Sequence, residues 1–86
     1  MRVQLSLFGA FRAMQAKPAV ELDVKDGADV AALREALAVH ATKAWPNFNP
    51  TLLAASVFAT ESMVLREREA LPDDGRVAIL PPVSGG

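Results

Sequence analysis

VELDVKDGADVAALREALAVHA, residues 20–41, contains the change of period that decides the fold. Up to Val24 the pattern alternates: Val20, Leu22 and Val24 share one face while Glu21 and Asp23 face water, as in a half-buried strand. Lys25, Asp26 and Gly27 break the alternation. Asp29 then stands where a helix N-cap belongs, with a carboxylate able to accept from the first free backbone N–H groups. From Val30 the apolar spacing becomes Val30, Leu33, Leu37 and Ala41, a single stripe along a helix of three or more turns that packs on a sheet.

On the N-terminal side, RVQLSLF (residues 2–8) alternates with Val3, Leu5 and Leu7 on one face and Gln4, Ser6 and Phe8 on the other. This reads as a strand ended by Gly9 and antiparallel to residues 20–24. On the C-terminal side, Asn49 as N-cap with Pro50 at the first helical position predicts a short second helix through Ala54 or Ala55. SVFAT (56–60) predicts a third strand with Val57 and Ala59 inward, and SMVLR (62–66) a short edge strand. PDDG (72–75) is a turn signal, with Asp73 and Asp74 as turn formers. RVAIL (76–80) is the last strand, Val77 and Ile79 inward and Ala78 and Leu80 outward, until Pro81 withdraws an N–H from the ladder. The expected fold class is α+β: a mixed sheet of four to five strands packed on one main helix, with a short second helix. The expected division is a globular domain over residues 1–81 and an extended tail over 82–86.

The chain has 86 residues, 51% of them hydrophobic and 22% charged, which suits one small globular core. A domain of this size buries only about 60–65% of its unfolded surface, so docking to a partner is a plausible source of added stability. Nine Lys and Arg against ten Asp and Glu leave no basic field, so nucleic acid is not expected as a partner. The absence of cysteine excludes disulfides, thiolate nucleophiles and cysteine-based metal sites, and no metal is expected. Residues 41–60, uncharged apart from Lys43, are broken by Pro46 and Pro50 and cannot span a bilayer, and no signal-like block opens the chain. No membrane partner and a cytoplasmic location are the expectation.

The stretch PPVSGG (81–86) carries the chemistry. Pro81 and Pro82 stiffen the exit from the sheet, and Val83, Ser84, Gly85 and Gly86 have nothing obvious to pack against. Extended, five or six residues reach about 15–20 Å. Glycines without a Cβ pass a narrow channel, and a terminal carboxylate can be activated as a mixed anhydride with AMP that a sulfur or amine nucleophile then attacks. The plain alternative is a frayed chain end.

VAILPPVSGG (77–86), together with LFGAFR (7–12) and the order of elements between them, resembles the small, sulfur-carrying subunit family of molybdopterin synthase, within the ubiquitin-like β-grasp group. The resemblance covers essentially the whole chain and implies a β-grasp fold. It implies that an ATP-using, ubiquitin-activating-like adenylyltransferase adenylates Gly86 and that a C-terminal thiocarboxylate follows. That sulfur would pass to cyclic pyranopterin monophosphate in a pocket of the large synthase subunit. The chain would bind no cofactor itself and would be no enzyme on its own. By strand alternation Phe8, Phe58 and Leu80 lie on the sheet face opposite the core, joined by Met63 from the edge; the family docks its partner there. Arg12 is read as an anchor for the tail or for a partner's acidic residue, or as a plain surface arginine.

Departures from the family pattern are VFATE (57–61) where relatives read VAVNQ, and DDGRVA (73–78) in place of DGDEVA. The loop TKAWPNFNPT (42–51) belongs to this chain, and Trp45 or Phe48 could serve as lid, core or partner contact. His40 is read as a surface or cap residue, and Arg66 to Ala70 as solvated edge protection. Two other functions share the tail: a sulfur carrier for another pathway, such as thiamine thiazole synthesis, and a ubiquitin-like protein modifier.

Overall fold

In the computed structural model, which describes residues 1–82, the chain runs β1 (Arg2–Leu7), a 3₁₀ turn (Gly9–Ala13), β2 (Ala19–Asp23), α1 (Val30–Ala44), α2 (Pro50–Ala55), β3 (Val57–Ala59), β4 (Val64–Leu65) and β5 (Arg76–Leu80). The tail positions Val83, Ser84, Gly85 and Gly86 lie outside the described residues. The sheet order is β2-β1-β5-β3-β4. β1 pairs antiparallel with β2 and parallel with β5, and β3 pairs antiparallel with both β5 and β4. A mixed sheet with the last strand at its centre results, and α1 covers one face of it.

Local chemistry sets the ends of each helix. Asp29 Oδ1 accepts from Ala32 N at 2.9 Å to open α1. The helix stops at Trp45, which is extended because Pro46 follows and clashes with a helical residue before it. Asn49, also before a proline, accepts from Thr51 N at 2.9 Å and Leu52 N at 3.3 Å, and Pro50 starts α2. Val30, Leu33, Leu37 and Ala41 are all buried against Val3, Leu5, Leu7, Val20, Leu22, Val77 and Ile79. Each fully buried leucine or valine is worth about 1.5–3 kcal/mol, so a charge at Leu37 would break the helix–sheet contact.

At the start of β5, Gly75 N donates to Pro72 O at 3.0 Å, and Asp74 Oδ1 accepts from Arg76 N at 3.0 Å. Gly75 has φ +69°, and a Cβ there would run into Arg2 O, so the turn that admits β5 beside β1 accepts glycine alone.

Trp45 is a core residue. Its ring is buried between Phe11 and Phe48, with centroids at 6.4 and 6.3 Å, and its Nε1 donates to Gln15 Oε1 at 3.0 Å. Gln15 in turn donates to Lys17 O and Ala19 O, which ties the β1–β2 connection to the end of α1. His40 is neither a cap nor a free surface residue: it is half-buried, edge-on to Trp45 at 5.8 Å.

β3 corrects the expected facing. Phe58 is 0% exposed and points into the core, and Val57 is 41% exposed. Phe58 stands in register with Ile79 and Leu65, both buried, so its Cβ shares their face. Its ring also receives the Arg34 guanidinium, with Cζ 4.9 Å from the centroid. Phe58 is therefore withdrawn from the expected docking face.

Candidate functional site

The face of the sheet opposite α1 is open. Ser6, Ala78 and Ala59 form its floor: Ser6 is in register with Ala78, and Ala78 with Ala59. They line a groove of about 630 Å³. At one end of it stand Phe8, 49% exposed, and half-buried Leu80, with Val57 opposite Leu80 in register. At the other end are Gln4, Arg76, Thr60 and Glu61. Val64, paired with Ala59 and 60% exposed, extends the apolar area to the edge strand, and Met63, 55% exposed, lies at the β3–β4 turn. Among the described residues, four of the five exposed large hydrophobics, Phe8, Val57, Met63 and Val64, thus gather along this face and its β4 edge; the fifth, Val39, is on α1.

The apolar end of the groove is the end at which β5 hands over to Pro81. Leu7 and Phe11, both buried, hold the 3₁₀ turn to the core on either side of exposed Phe8 and Gly9. Gly9 has φ +57° and lies directly under the Pro81 ring. Arg12, exposed, donates from Nη1 to Gln15 O at 3.3 Å and Ala16 O at 3.2 Å, so one edge of its guanidinium closes the turn. Phe8 and Leu80 line one end of the groove, Pro81 meets Gly9 beside Phe8, Pro82 is exposed, and Met63 stands apart at the edge. Val57 and Val64 are the outer-face residues that sequence reasoning missed. Val57 lies in a strand apolar throughout, but the alternation of Val64 with buried Leu65 was available to be read.

On the core side, Arg34 of α1 is a strut with no local sequence signal. Its Nη1 donates to Leu53 O and Ser56 O at 2.6 and 2.8 Å, and Nε and Nη2 meet the Glu67 carboxylate at 2.9 and 2.7 Å. The Arg34 hydrogen bond holds the Glu67 carboxyl below its ordinary value, against a smaller opposing effect of burial. This strut fixes α2 and the segment after β4, and with them the position of β3 under the open face. Among the described residues no helix is long and apolar enough to cross a membrane.

A five-stranded mixed sheet, its first and last strands parallel at the centre and one main helix across a single face, defines the ubiquitin-like β-grasp class. SAMP1 from Haloferax volcanii has a crystal structure that superposes with a TM-score of 0.72 at 26% identity, covering 100% of both chains. Residues 5–86 match the ThiS family, and the chain belongs to that family of small ubiquitin-like sulfur carriers. Membership implies partnering with sulfur-transfer enzymes. No curated protein matches the sequence.

Proposed function

We propose that this chain is the sulfur-donating subunit of a molybdopterin synthase, with the Gly86 carboxylate as its working group. An adenylyltransferase activates that carboxylate: a carboxylate oxygen attacks the α-phosphate of ATP and pyrophosphate leaves. Hydrosulfide then adds to the acyl carbon and displaces AMP, leaving a thiocarboxylate; a persulfide donor reaches the same product when a thiol cleaves the resulting acyl disulfide and leaves as the mixed disulfide. The large subunit receives Gly85 and Gly86 in its pocket, where the sulfur passes to cyclic pyranopterin monophosphate and hydrolysis returns the carboxylate. Phe8, Leu80, Met63 and Val57 bind the large subunit, Pro81, Pro82, Val83 and Ser84 span the distance to its pocket, and Arg12 offers its free guanidinium edge to an acidic partner residue.

The observation that supports this reading best is the coincidence of the apolar end of the open groove with the exit of β5 into Pro81. A partner seated on Phe8 and Leu80 has the C-terminal segment delivered to it at the same edge. The family match runs through residue 86 and so includes the diglycine.

The test is mass spectrometry of the chain coexpressed with its adenylyltransferase, followed by reconstitution with the large subunit. A gain equal to the difference between sulfur and oxygen, and molybdopterin formed from the pterin precursor, are the expected results. Deleting Gly86 abolishes both. Sulfur delivered only to a thiazole synthase, or isopeptide-linked lysine conjugates in extracts, would replace this reading with one of the two others.

A further inference from the structure

We infer that Gly9 is a positioning residue that aims the C-terminal segment by leaving room for the Pro81 ring, an inference that rests on Gly86 being the acyl group that enters partner sites. Leu7 and Phe11, buried on either side, anchor the turn containing Gly9, and Phe11 N donates to Phe8 O at 3.1 Å. A Cβ built on Gly9 would lie 2.5 Å from Pro81 Cγ and 3.2 Å from Cδ, against 3.9 Å from Pro81 Cβ. Carbon atoms settle at about 3.5–4.0 Å, so any other residue demands a shift of about 1 Å. The turn is held by the core, so the shift falls on Pro81. A change of ring pucker can carry Cγ aside, but Cδ, 3.2 Å from the new Cβ, is bonded to the backbone nitrogen and does not move away without carrying N and Cα along. Displacing the ring therefore turns the direction in which the backbone leaves for Pro82. The glycine of LFGAFR and the first proline of PPVSGG, 72 positions apart by number, act as one device.

Two substitutions separate the contact from backbone strain. Asparagine tolerates the left-handed region, so Gly9→Asn keeps the φ of +57° at small cost while adding the Cβ. Pro81→Ala removes Cγ and Cδ and leaves only the Cβ, at an ordinary 3.9 Å. With no cysteine in the chain, Ser84→Cys takes a single spin label, and paramagnetic relaxation of the outer-face amides of Gln4, Ser6, Ala59 and Thr60 reports the direction of exit.

In Gly9→Asn the relaxation pattern moves away from that of the parent, and in the double variant it returns to the pattern of Pro81→Ala alone. In unlabelled protein, kcat/KM for ATP–pyrophosphate exchange with the adenylyltransferase falls about 10- to 100-fold in Gly9→Asn, the scale of a 1 Å misplacement, with the melting temperature little changed. The double variant recovers the Pro81→Ala rate. A Gly9→Asn pattern equal to the parent's, or a double variant that keeps the Gly9→Asn pattern, overturns the inference. So does a Gly9→Asn chain that fails to fold, whether or not the double variant folds, because the contact then governs stability and not aim. Absence of exchange in the parent chain counts against the Gly86 reading alone, since the relaxation measurement needs no enzyme.

Discussion

Exchanging Phe58 and Val57 in turn tests the facing of β3, on which the composition of the proposed docking face depends. Phe58 is 0% exposed, in register with Ile79, and carries the Arg34 guanidinium over its ring. Phe→Ala in a closed core costs about 3–5 kcal/mol, and loss of the cation–π contact belongs within that cost. At roughly 0.05–0.15 kcal/mol per residue, a domain of 86 residues has about 4–13 kcal/mol in all. Phe58→Ala therefore removes about a quarter or more of the stability, and at about 4–8 °C per kcal/mol the melting temperature falls by about 12–40 °C. Val57→Asp adds a charge to an exposed position, and its stability cost stays below about 1 kcal/mol. If Val57 docks, the same change strands a carboxylate in a desolvated contact, costing about 2 kcal/mol of binding, or about 30-fold in Kd. Urea denaturation at constant m-value measures the first effect, and calorimetric titration with the proposed partner, a molybdopterin synthase large subunit, the second. A Phe58→Ala chain that loses less than 1 kcal/mol while binding worse than Val57→Asp would refute the assignment of the two faces.

Arg34→Ala should cost about 2–4 kcal/mol in chemical denaturation, because Leu53 O and Ser56 O lose a charged donor and Glu67 its partner; Arg34→Lys should recover less than half, since an ammonium cannot span both carbonyls and the carboxylate. Glu67, whose folded pKa lies below its ordinary 4.5, contributes stability that is complete above that value and is lost as pH falls through the lowered one. Glu67→Gln should therefore flatten acid destabilisation below pH 4.5 in melts taken across that range; an unchanged acid limb would count against the pair. Gly75→Ala should leave little folded protein by circular dichroism, because the new Cβ meets the Arg2 carbonyl of the neighbouring strand; a cooperative melt near that of the parent would refute the close approach.

The elements whose periods are long or whose caps are chemical were legible in the sequence. Asp29 and Asn49 act as the N-caps expected of them, and the stripe Val30, Leu33, Leu37, Ala41 is the buried face of α1. β3 was not legible, because Val57, Phe58 and Ala59 are all apolar and three residues cannot set the phase of an alternation; pairing with Ile79 and Leu65 decides it. Trp45 and Phe48 left three roles open, and the Gln15 hydrogen bond that marks Trp45 as core comes from 30 positions away. Arg34 has no signal of its own, since its partners Leu53, Ser56 and Glu67 all belong to other segments. At the candidate site Phe8 and Leu80 could be read from alternation, while the Gly9–Pro81 approach could not, because it depends on where two distant segments meet.

The central place of β5 in the sheet has a consequence for synthesis. Until residues 76–80 have cleared the ribosome, the nascent chain holds β2-β1 on one side and β3-β4 on the other, with no ladder joining them. A product cut short before that point has two separate hairpins and an open core, the substrate that cellular proteases remove. The strand that closes the body also leads directly into Pro81, so the end of the groove formed by Phe8, Leu80 and Pro81 exists only once β5 has taken its place in the sheet.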